Sequence, residues 1–194
     1  MAWSGWRRGP RYDLDMKVAG VEKAFRAINE MVKAGVVRRY ALGGAMGALF
    51  YSEPVVTYDL DVFVALGDDP ARSPLTPLAP IYEFARSRGF AIEREHVVIE
   101  GIPVQFLPAP SPLVEEAIEK ALLKRVGNTL VRVMTPEHLA AVMVEVGRPK
   151  DKLRLESFFS GGALDREVLE EILRRHGLHG RWSRIRKEIG VDGP

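Results

Sequence analysis

Two short stretches decide the fold of this chain: residues 40–45, YALGGA, and residues 57–62, TYDLDV. An apolar run that is β-branched at its start precedes the glycine pair, and another apolar run, residues 62–66, follows the second stretch. Glycine permits a tight turn after a strand, and residues two apart on a strand share a face. The sequence therefore predicts a strand, a glycine turn, a short helix and a second strand that begins with two carboxylates, Asp59 and Asp61, on the same face.

The tetrapeptide Tyr-Asp-Leu-Asp occurs twice, at residues 12–15 and at residues 58–61. The first copy ends a stretch without periodicity, which predicts an irregular arm, and it precedes a helix. Asp13 or Asp15 is therefore predicted to cap that helix near its positive end. The second copy follows a strand and a glycine turn, so it alone has a chemical interpretation.

Carboxylates at this spacing suit a divalent metal. Mg²⁺ takes one or two carboxylates and completes its shell with waters and phosphate oxygens, and Mn²⁺ prefers similar ligands. Glycines after a strand let backbone N–H groups approach phosphates without a Cβ atom in the way. Either element alone is more often an ordinary turn, so the interpretation depends on both occurring in this order. Together they predict a site for a nucleotide and its metal.

The composition limits the remaining possibilities. The chain has 194 residues, 46% of them hydrophobic, which allows one core with an appended helical part. Charged residues make up 28% and leave a net charge of +2, so the overall field does not require an acidic partner. The lack of cysteine excludes disulfides, thiolate nucleophiles and cysteine-rich zinc sites. With no signal sequence and no stretch of about 20 apolar residues, we expect a soluble cytoplasmic protein without membrane contact.

Turn and helix signals predict the other elements. Apolar residues spaced three and four apart over residues 18–32 predict an amphipathic helix that Gly35 ends. Residues 91–100 and 102–107 predict a two-stranded hairpin with Gly101 in its turn.

The later part of the chain is rich in helix starts. Ser111-Pro112 and Thr135-Pro136 are capping residues followed by a first-turn proline, and Asp165 is a third cap. Leu122 is assigned to the first of these helices, and residues 128–134 to a strand between the first and the second. These signals predict a mixed α/β (α+β) body over residues 1–135 and a helical C-terminal part over residues 136–194.

The two stretches that open this section resemble the signature of DNA polymerase beta-type nucleotidyltransferases. The likeness is greatest to the small bacterial and archaeal branch that includes the AbiE-type abortive-infection toxins. Residues 135–139 (TPEHL), 147–151 (GRPKD) and 164–169 (LDREVL) also resemble that branch, less specifically. The resemblance runs from about residue 36 to residue 185.

This resemblance implies a central mixed sheet flanked by helices and the transfer of a nucleoside monophosphate from a nucleoside triphosphate to a hydroxyl of RNA or protein, with a toxin-like role. It implies that Asp59 and Asp61 bind Mg²⁺ or Mn²⁺ and act in catalysis with the residue at position 105. The positions that it assigns to the nucleotide are Gly43, Gly44, Ala45, Thr57, Lys150 and Asp151.

The sequence departs from the family pattern where a third carboxylate is expected, because Gln105 occupies that position. An amide has no charge and cannot act as a base. Gln105 can still ligate weakly through its carbonyl oxygen, or Glu93, Glu95 or Glu100 can substitute; alternatively, all three glutamates are solvated strand residues.

Further departures concern charge. Family members often carry a basic residue where this chain has Val55, a lysine near Met143 and a second acid near Arg154, and this chain departs from all three patterns. Lys150 and Asp151 either face the nucleotide or form an ion-paired helix start. These departures leave a second function open: a protein that keeps the fold and binds nucleotide, RNA or protein without catalysis.

The histidines and the basic C-terminal segment complete the candidates. The four histidines, His96, His138, His176 and His179, show no metal-ligand spacing, and none is assigned a chemical role. Basic residues between positions 174 and 187 have the acids Glu170, Glu171 and Glu188 beside them in sequence, which indicates a solvated helix face or, alternatively, a contact with RNA phosphates.

Overall fold

The glycine pair connects a strand to a short helix, as the sequence predicts. A computed structural model of the protein describes residues 11–51, 59–66 and 75–191, with all their side chains except those of residues 11–18. The elements in chain order are α1 (Arg11–Lys33), β1 (Arg39–Leu42), α2 (Gly44–Ala48), β2 (Leu60–Ala65), α3 (Ala79–Ser87), β3 (Ala91–Glu93), β4 (His96–Ile99), β5 (Ile102–Pro108), α4 (Pro112–Glu119), β6 (Leu122–Val126), β7 (Thr129–Val133), α5 (Pro136–Val146), α6 (Pro149–Ser160), α7 (Arg166–Arg175) and α8 (His179–Glu188).

The strands form one mixed sheet in the order β3-β4-β5-β2-β1-β7-β6. β1 and β2 pair antiparallel at its centre, and each has a parallel neighbour on its other side, β7 beside β1 and β5 beside β2. β3 and β4 continue antiparallel from β5, and β6 continues antiparallel from β7. The predicted α/β class with a mixed sheet flanked by helices is confirmed.

Alternation along β2 divides its side chains between two hydrophobic clusters. Leu60, Val62 and Val64 are buried on one face and cluster with the inward side chains of α1. Phe63 points the other way and packs against a cluster formed mainly by α4 to α8. Asp61 shares the face of Phe63, because side chains two apart on a strand point the same way.

The three predicted helix caps are confirmed. The side chains of Ser111, Thr135 and Asp165 accept hydrogen bonds from backbone N–H groups two or three residues further on, at distances from 3.0 to 3.4 Å. Such caps satisfy N–H groups that have no partner inside the helix.

The predicted start of the first helix was wrong. α1 already includes Arg11, so Asp13 and Asp15 lie within its helical backbone and neither is the residue before its first turn. Carboxylates are also favourable inside the first turns, where they oppose the partial positive charge of the helix end. The acidic tetrapeptide therefore fits a helix interior as well as a cap.

Two strand assignments also needed correction. Residues 91–100 form two strands, β3 and β4, because the chain reverses at Arg94, whose φ is +56°. Leu122 belongs to β6, which pairs with β7 across a turn at Gly127, and not to the preceding helix. Short edge strands lack the long alternation that identifies a strand in sequence.

The helical part packs directly on the sheet layer. α5 contacts α2, α4, α6, α7 and α8, and Leu139 of α5 belongs to the same hydrophobic cluster as Ala41 of β1 and Leu113 of α4. The boundary between residues 135 and 136 stays a prediction. Across the described ranges, no helix is long and apolar enough to cross a bilayer.

Glu116 of α4 connects three helices of this layer. Its carboxylate lies 2.7 Å from Nε2 of His176 and accepts a hydrogen bond of 2.6 Å from Arg175, both at the end of α7. It also lies 3.4 Å from Nε2 of His138 on α5, a residue that is 5% exposed.

This contact makes folding sensitive to acid. Burial lowers the pKa of His138 below 6.5, against an opposing effect of Glu116. Burial would raise the pKa of Glu116, but the hydrogen bonds of His176 and His138 and the charge of Arg175 bring it below 4.5. Both groups bind fewer protons in the folded protein than in the unfolded chain. Their contribution to the free energy of unfolding is fully present above pH 6.5 for His138 and above pH 4.5 for Glu116. It is lost as the pH falls through the lowered pKa values of the folded protein.

We expect Glu116→Gln to lower the free energy of unfolding at neutral pH by about 1.5–3 kcal/mol, because charged hydrogen bonds are lost. The difference from the wild type should narrow below pH 4.5, where Glu116 becomes protonated. Urea denaturation across this pH range measures both effects. Glu115→Gln, at an exposed position of the same helix, should change stability by less than about 0.5 kcal/mol. If the free energies of unfolding of the wild type and of Glu116→Gln differed by the same amount at all pH values, the lowered pKa of Glu116 would be contradicted.

Candidate functional site

The two aspartates line an open cleft on the face of the sheet that Phe63 shares. Asp61 is the second residue of β2, and Asp59 lies just before that strand. The cleft has a volume of about 700 Å³ and is lined by Ala45, Asp59, Asp61, Glu93, Arg94, His96, Val98, Pro103, Gln105, Arg148, Lys150 and Arg154.

The glycine turn packs against β2 at the position of Asp61. The backbone N–H of Gly43 donates a 2.9 Å hydrogen bond to the carbonyl oxygen of Asp61. A Cβ atom on Gly44 would lie 1.7 Å from Oδ2 of Asp61, and one on Gly43 would lie 2.5 Å from the ring of Phe63. Gly44 also has a φ of +56°, which L side chains rarely adopt. The glycines are therefore required by the carboxylate and the ring beside them, whether or not a phosphate binds there.

One row of side chains crosses four strands of the cleft floor. Asp61 of β2 is in register with Gln105 of β5, Gln105 with His96 of β4, and His96 with Glu93 of β3. Residues in register on adjacent strands share a face. The position expected to carry a third carboxylate is thus directly beside Asp61, and it holds an amide.

The start of α6 forms a basic wall of the cleft with Arg148, Lys150 and Arg154. Asp151 lies behind this wall, 1% exposed, and accepts hydrogen bonds of 2.8 and 3.3 Å from the Arg148 guanidinium. Nη1 of Arg154 is 3.6 Å from the same carboxylate. Asp151 also accepts a hydrogen bond from the backbone N–H of Arg148 at the helix start. It orients the two arginines without lining the cleft.

The charge distribution favours a cation beside Asp61. Burial raises the pKa of the Asp61 carboxyl, and the negative charge of Asp59 raises it further. Arg148, Lys150 and Arg154 act in the opposite direction. A cation held between the two carboxylates would relieve the repulsion between them.

The donor set fits a metal that arrives with phosphate. Within the part of the chain that the structure describes, no group of three or more His, Asp or Glu side chains can hold a metal ion. Asp59 and Asp61 supply two hard oxygen donors, the number that Mg²⁺ takes when substrate phosphates complete its shell. The cleft therefore suits a metal–phosphate complex and not a cage built from protein ligands alone.

The structure brings most of the predicted site residues together. Asp59, Asp61, Gln105, Ala45 and Lys150 line the cleft, and Gly43 and Gly44 pack beside Asp61. Asp151 lies behind the cleft wall, and Thr57 is outside the described residues. Of the alternative glutamates, Glu93 lines the cleft, whereas Glu100 forms a 2.8 Å ion pair with Lys23.

Several cleft residues were not assigned to the site from the sequence, among them His96 and Arg154. His96 was predictable from the hairpin, because pairing Ile99 with Ile102 across the Glu100–Gly101 turn sets His96 opposite Gln105. Arg154 had a weaker signal. It follows Lys150 by one helical turn and so lies on the same side of α6.

The close approach of the glycine turn predicts a strong effect of a single methyl group. Gly44→Ala should cost about 1–3 kcal/mol more stability than Gly89→Ala, because the new methyl group must displace the Asp61 carboxylate. Gly89 is the matched control: its φ is +73°, and a Cβ atom there would meet nothing within 4 Å. Equal losses in urea denaturation would contradict the close approach.

Comparisons with known proteins concern the fold. No protein-family model matches the sequence, and no curated protein matches it. An antigenic nucleotidyltransferase-like protein from Paracoccidioides brasiliensis is similar in structure at 11% identity, with a TM-score of 0.52 over 81% of this chain and 87% of that one.

The antibiotic-resistance factor ANT(2'')-Ia is similar too. Its solution structure has a TM-score of 0.51 at 15% identity and covers 92% of this chain and 99% of that one. Its crystal structure in complex with adenylyl-2''-tobramycin has a TM-score of 0.50 at 15% identity, over 86% and 98% of the two chains. The fold of this chain is therefore that of nucleotidyltransferase-like proteins.

Proposed function

We propose that this protein is a metal-dependent nucleotidyltransferase that moves a nucleoside monophosphate from a nucleoside triphosphate to an acceptor hydroxyl. One observation carries the proposal: the paired carboxylates Asp59 and Asp61 and the three basic side chains at the start of α6 line the same cleft. Carboxylates for a divalent ion and cations for phosphates are the two requirements of a bound metal–triphosphate complex.

In this proposal Asp59 and Asp61 hold Mg²⁺ or Mn²⁺, and Arg148, Lys150 and Arg154 attract the phosphates. When bound, the metal supplies positive charge that stabilises the phosphoryl group under attack and the leaving pyrophosphate. Gly43, Gly44 and Ala45 bring the backbone of the turn beside the carboxylates. Thr57 remains among the residues proposed to bind the nucleotide.

The basic wall offers a compensation for charges that this chain lacks. Met143, near which the family often has a lysine, is buried and does not line the cleft. Arg154, in contrast, stands where the family often has an acid, and it lines the cleft. Relative to the family pattern, this chain has an additional basic side chain in the cleft wall, Arg154, and lacks the lysine near Met143.

A second function has support from Gln105. This residue is in register with Asp61 and has no charge, so the row beside the metal position lacks its third carboxylate. A protein of this fold that binds a nucleotide without turnover fits that feature. It predicts binding without release of pyrophosphate.

Asp59→Asn and Asp61→Asn should each abolish Mg²⁺-dependent nucleotide binding, because an amide cannot neutralise the ion. Calorimetry with each ribonucleoside triphosphate, in Mg²⁺ and in Mn²⁺, measures this. Asp165→Asn is the matched control, since Asp165 caps α7 away from the cleft and asparagine caps equally well. Absence of binding by the wild type in both metals would overturn the proposal.

Transfer is tested in the same preparations with α-³²P-labelled triphosphates. We propose that the acceptor hydroxyl belongs to RNA or protein, in a toxin-like role, so label should appear on total RNA or on protein. Tobramycin provides a third arm, since ANT(2'')-Ia is known in complex with adenylyl-2''-tobramycin. Label on tobramycin alone would contradict RNA or protein as the acceptor, but it would support nucleotidyl transfer. Binding without label or pyrophosphate release would favour the non-catalytic function.

Lys150→Ala should weaken triphosphate binding by about tenfold, the effect of losing about 1.4 kcal/mol. The loss should be larger for ATP than for AMP, because the side chain is proposed to contact the outer phosphates. Lys152→Ala is the matched control: Lys152 lies on the same helix but pairs with Glu188. If both variants weakened triphosphate binding equally, the contribution of Lys150 to binding would not depend on its position in the cleft.

A further inference from the structure

The floor of the cleft holds a proton acceptor that the proposed function has not used. His96 of β4 lies two strands from Asp61 and is separated from it by Gln105 of β5. With strands about 4.8 Å apart, the Cα atoms of His96 and Asp61 are about 10 Å apart. Their side chains share a face, which leaves a space above Gln105 between the metal position and the imidazole.

We infer that His96 accepts the proton of the acceptor hydroxyl, in the role that the missing carboxylate at position 105 would otherwise serve. The inference rests on the proposed nucleotidyl transfer. The acceptor hydroxyl lies above Gln105, with the α-phosphate on its Asp61 side and His96 on the other.

The other candidates in the cleft are less suitable. Asp59 and Asp61 are committed to the metal. Glu93 lines the cleft but is one strand further from Asp61 than His96, at about 14 Å between Cα atoms. The Gln105 amide cannot take up a proton. His96 is thus the acceptor nearest to the metal position among the remaining lining residues.

The surroundings of His96 are mixed in charge. Glu93 is directly opposite it on β3, Arg94 lies in the following turn, and Gln105 is neutral beside it on β5. Arg148, Lys150 and Arg154 form the basic wall of the same cleft. An imidazole is the side chain that most readily exchanges a proton near neutral pH. Glu93 can hold the imidazolium that forms, since opposite side chains are about 5 Å apart at Cβ.

The proton of the acceptor O–H moves to a ring nitrogen of His96, and the oxygen forms a bond to the α-phosphorus. The bond between the α-phosphorus and the oxygen bridging to the β-phosphate breaks. Its electron pair leaves with pyrophosphate, so the products are the nucleotidylated acceptor, pyrophosphate and a protonated His96.

The test uses the full chain, Mg²⁺ and ATP, with the acceptor that takes up label in the transfer experiment: RNA, protein or tobramycin. Pyrophosphate release by His96→Gln should be slower than that of the wild type by about 100-fold or more, the usual contribution of a general base. The Kd of His96→Gln for ATP, measured by calorimetry, should stay within about threefold of the wild-type value. Added imidazole should restore part of the rate. His179→Gln, at an exposed position outside the cleft, should behave as the wild type.

A second readout does not depend on rate loss. The rate of the wild type should have an acidic limb in its pH profile, because a base that is already protonated cannot accept the proton of the acceptor hydroxyl. That limb should be absent in His96→Gln.

The possible outcomes distinguish the role of His96 from the proposed nucleotidyl transfer. An active wild type whose rate and pH profile survive in His96→Gln would overturn the role of His96 alone. A large loss in Glu93→Gln without one in His96→Gln would move the role to Glu93. A wild type that binds ATP but releases no pyrophosphate in the presence of RNA, protein or tobramycin would overturn the role of His96 and favour the non-catalytic function. A wild type that does not bind ATP would overturn the proposed function itself.

Discussion

The contact between the glycine turn and β2 is the constraint on which the rest of the site depends. The N–H of Gly43 donates to the carbonyl oxygen of Asp61, and the space where a Cβ atom of Gly44 would stand is occupied by the Asp61 carboxylate. This contact fixes the end of β1 against the start of β2, so the turn and the carboxylate cannot move independently. Because interiors are close-packed, even one added methyl group must displace its neighbours. The turn thereby sets the position of the buried carboxylate, and the carboxylate in turn requires glycine.

Strand register then extends this local contact across the sheet. Once Asp61 is fixed on the face of Phe63, the parallel pairing with β5 brings Gln105 to the same face, and the hairpin brings His96 beside it. A slip of one residue in either pairing would turn the side chains of the displaced strand to the opposite face. Helices cover the middle of this face but not the β3–β5 side, where Val98, Pro103 and Gln105 line the cleft. The cleft exists because the sheet is wider than its helical cover.

Much of the fold and of the site was predictable from the sequence, and the wrong predictions have identifiable physical causes. The two central strands, the glycine turn and the three capped helices follow from local patterns such as Ser111-Pro112 and Thr135-Pro136. β6 was missed and β3 was merged with β4 into one strand, because short edge strands show too few alternating positions. The requirement for Gly44 was attributed to phosphate, since the sequence does not reveal that Asp61 packs against it. The position of Asp151 behind the basic wall depends on tertiary packing, whereas the pairing of His96 with Gln105 was available from the hairpin turn.

The arrangement at the start of α6 shows how a buried acid can serve a basic site. Asp151 is almost fully buried, and a charge there is unfavourable unless it is paired and hydrogen-bonded. Arg148 supplies two side-chain hydrogen bonds and Arg154 a second charge, so both guanidinium groups are held at the cleft. The lining side chains include the carboxylates Asp59, Asp61 and Glu93 and four cations, Arg94 among them. A triphosphate entering alone would leave this cleft with a large excess of negative charge. Accompanied by a divalent cation, it would leave the cleft closer to neutral, which is why the paired carboxylates and the basic wall are more useful together than either would be alone.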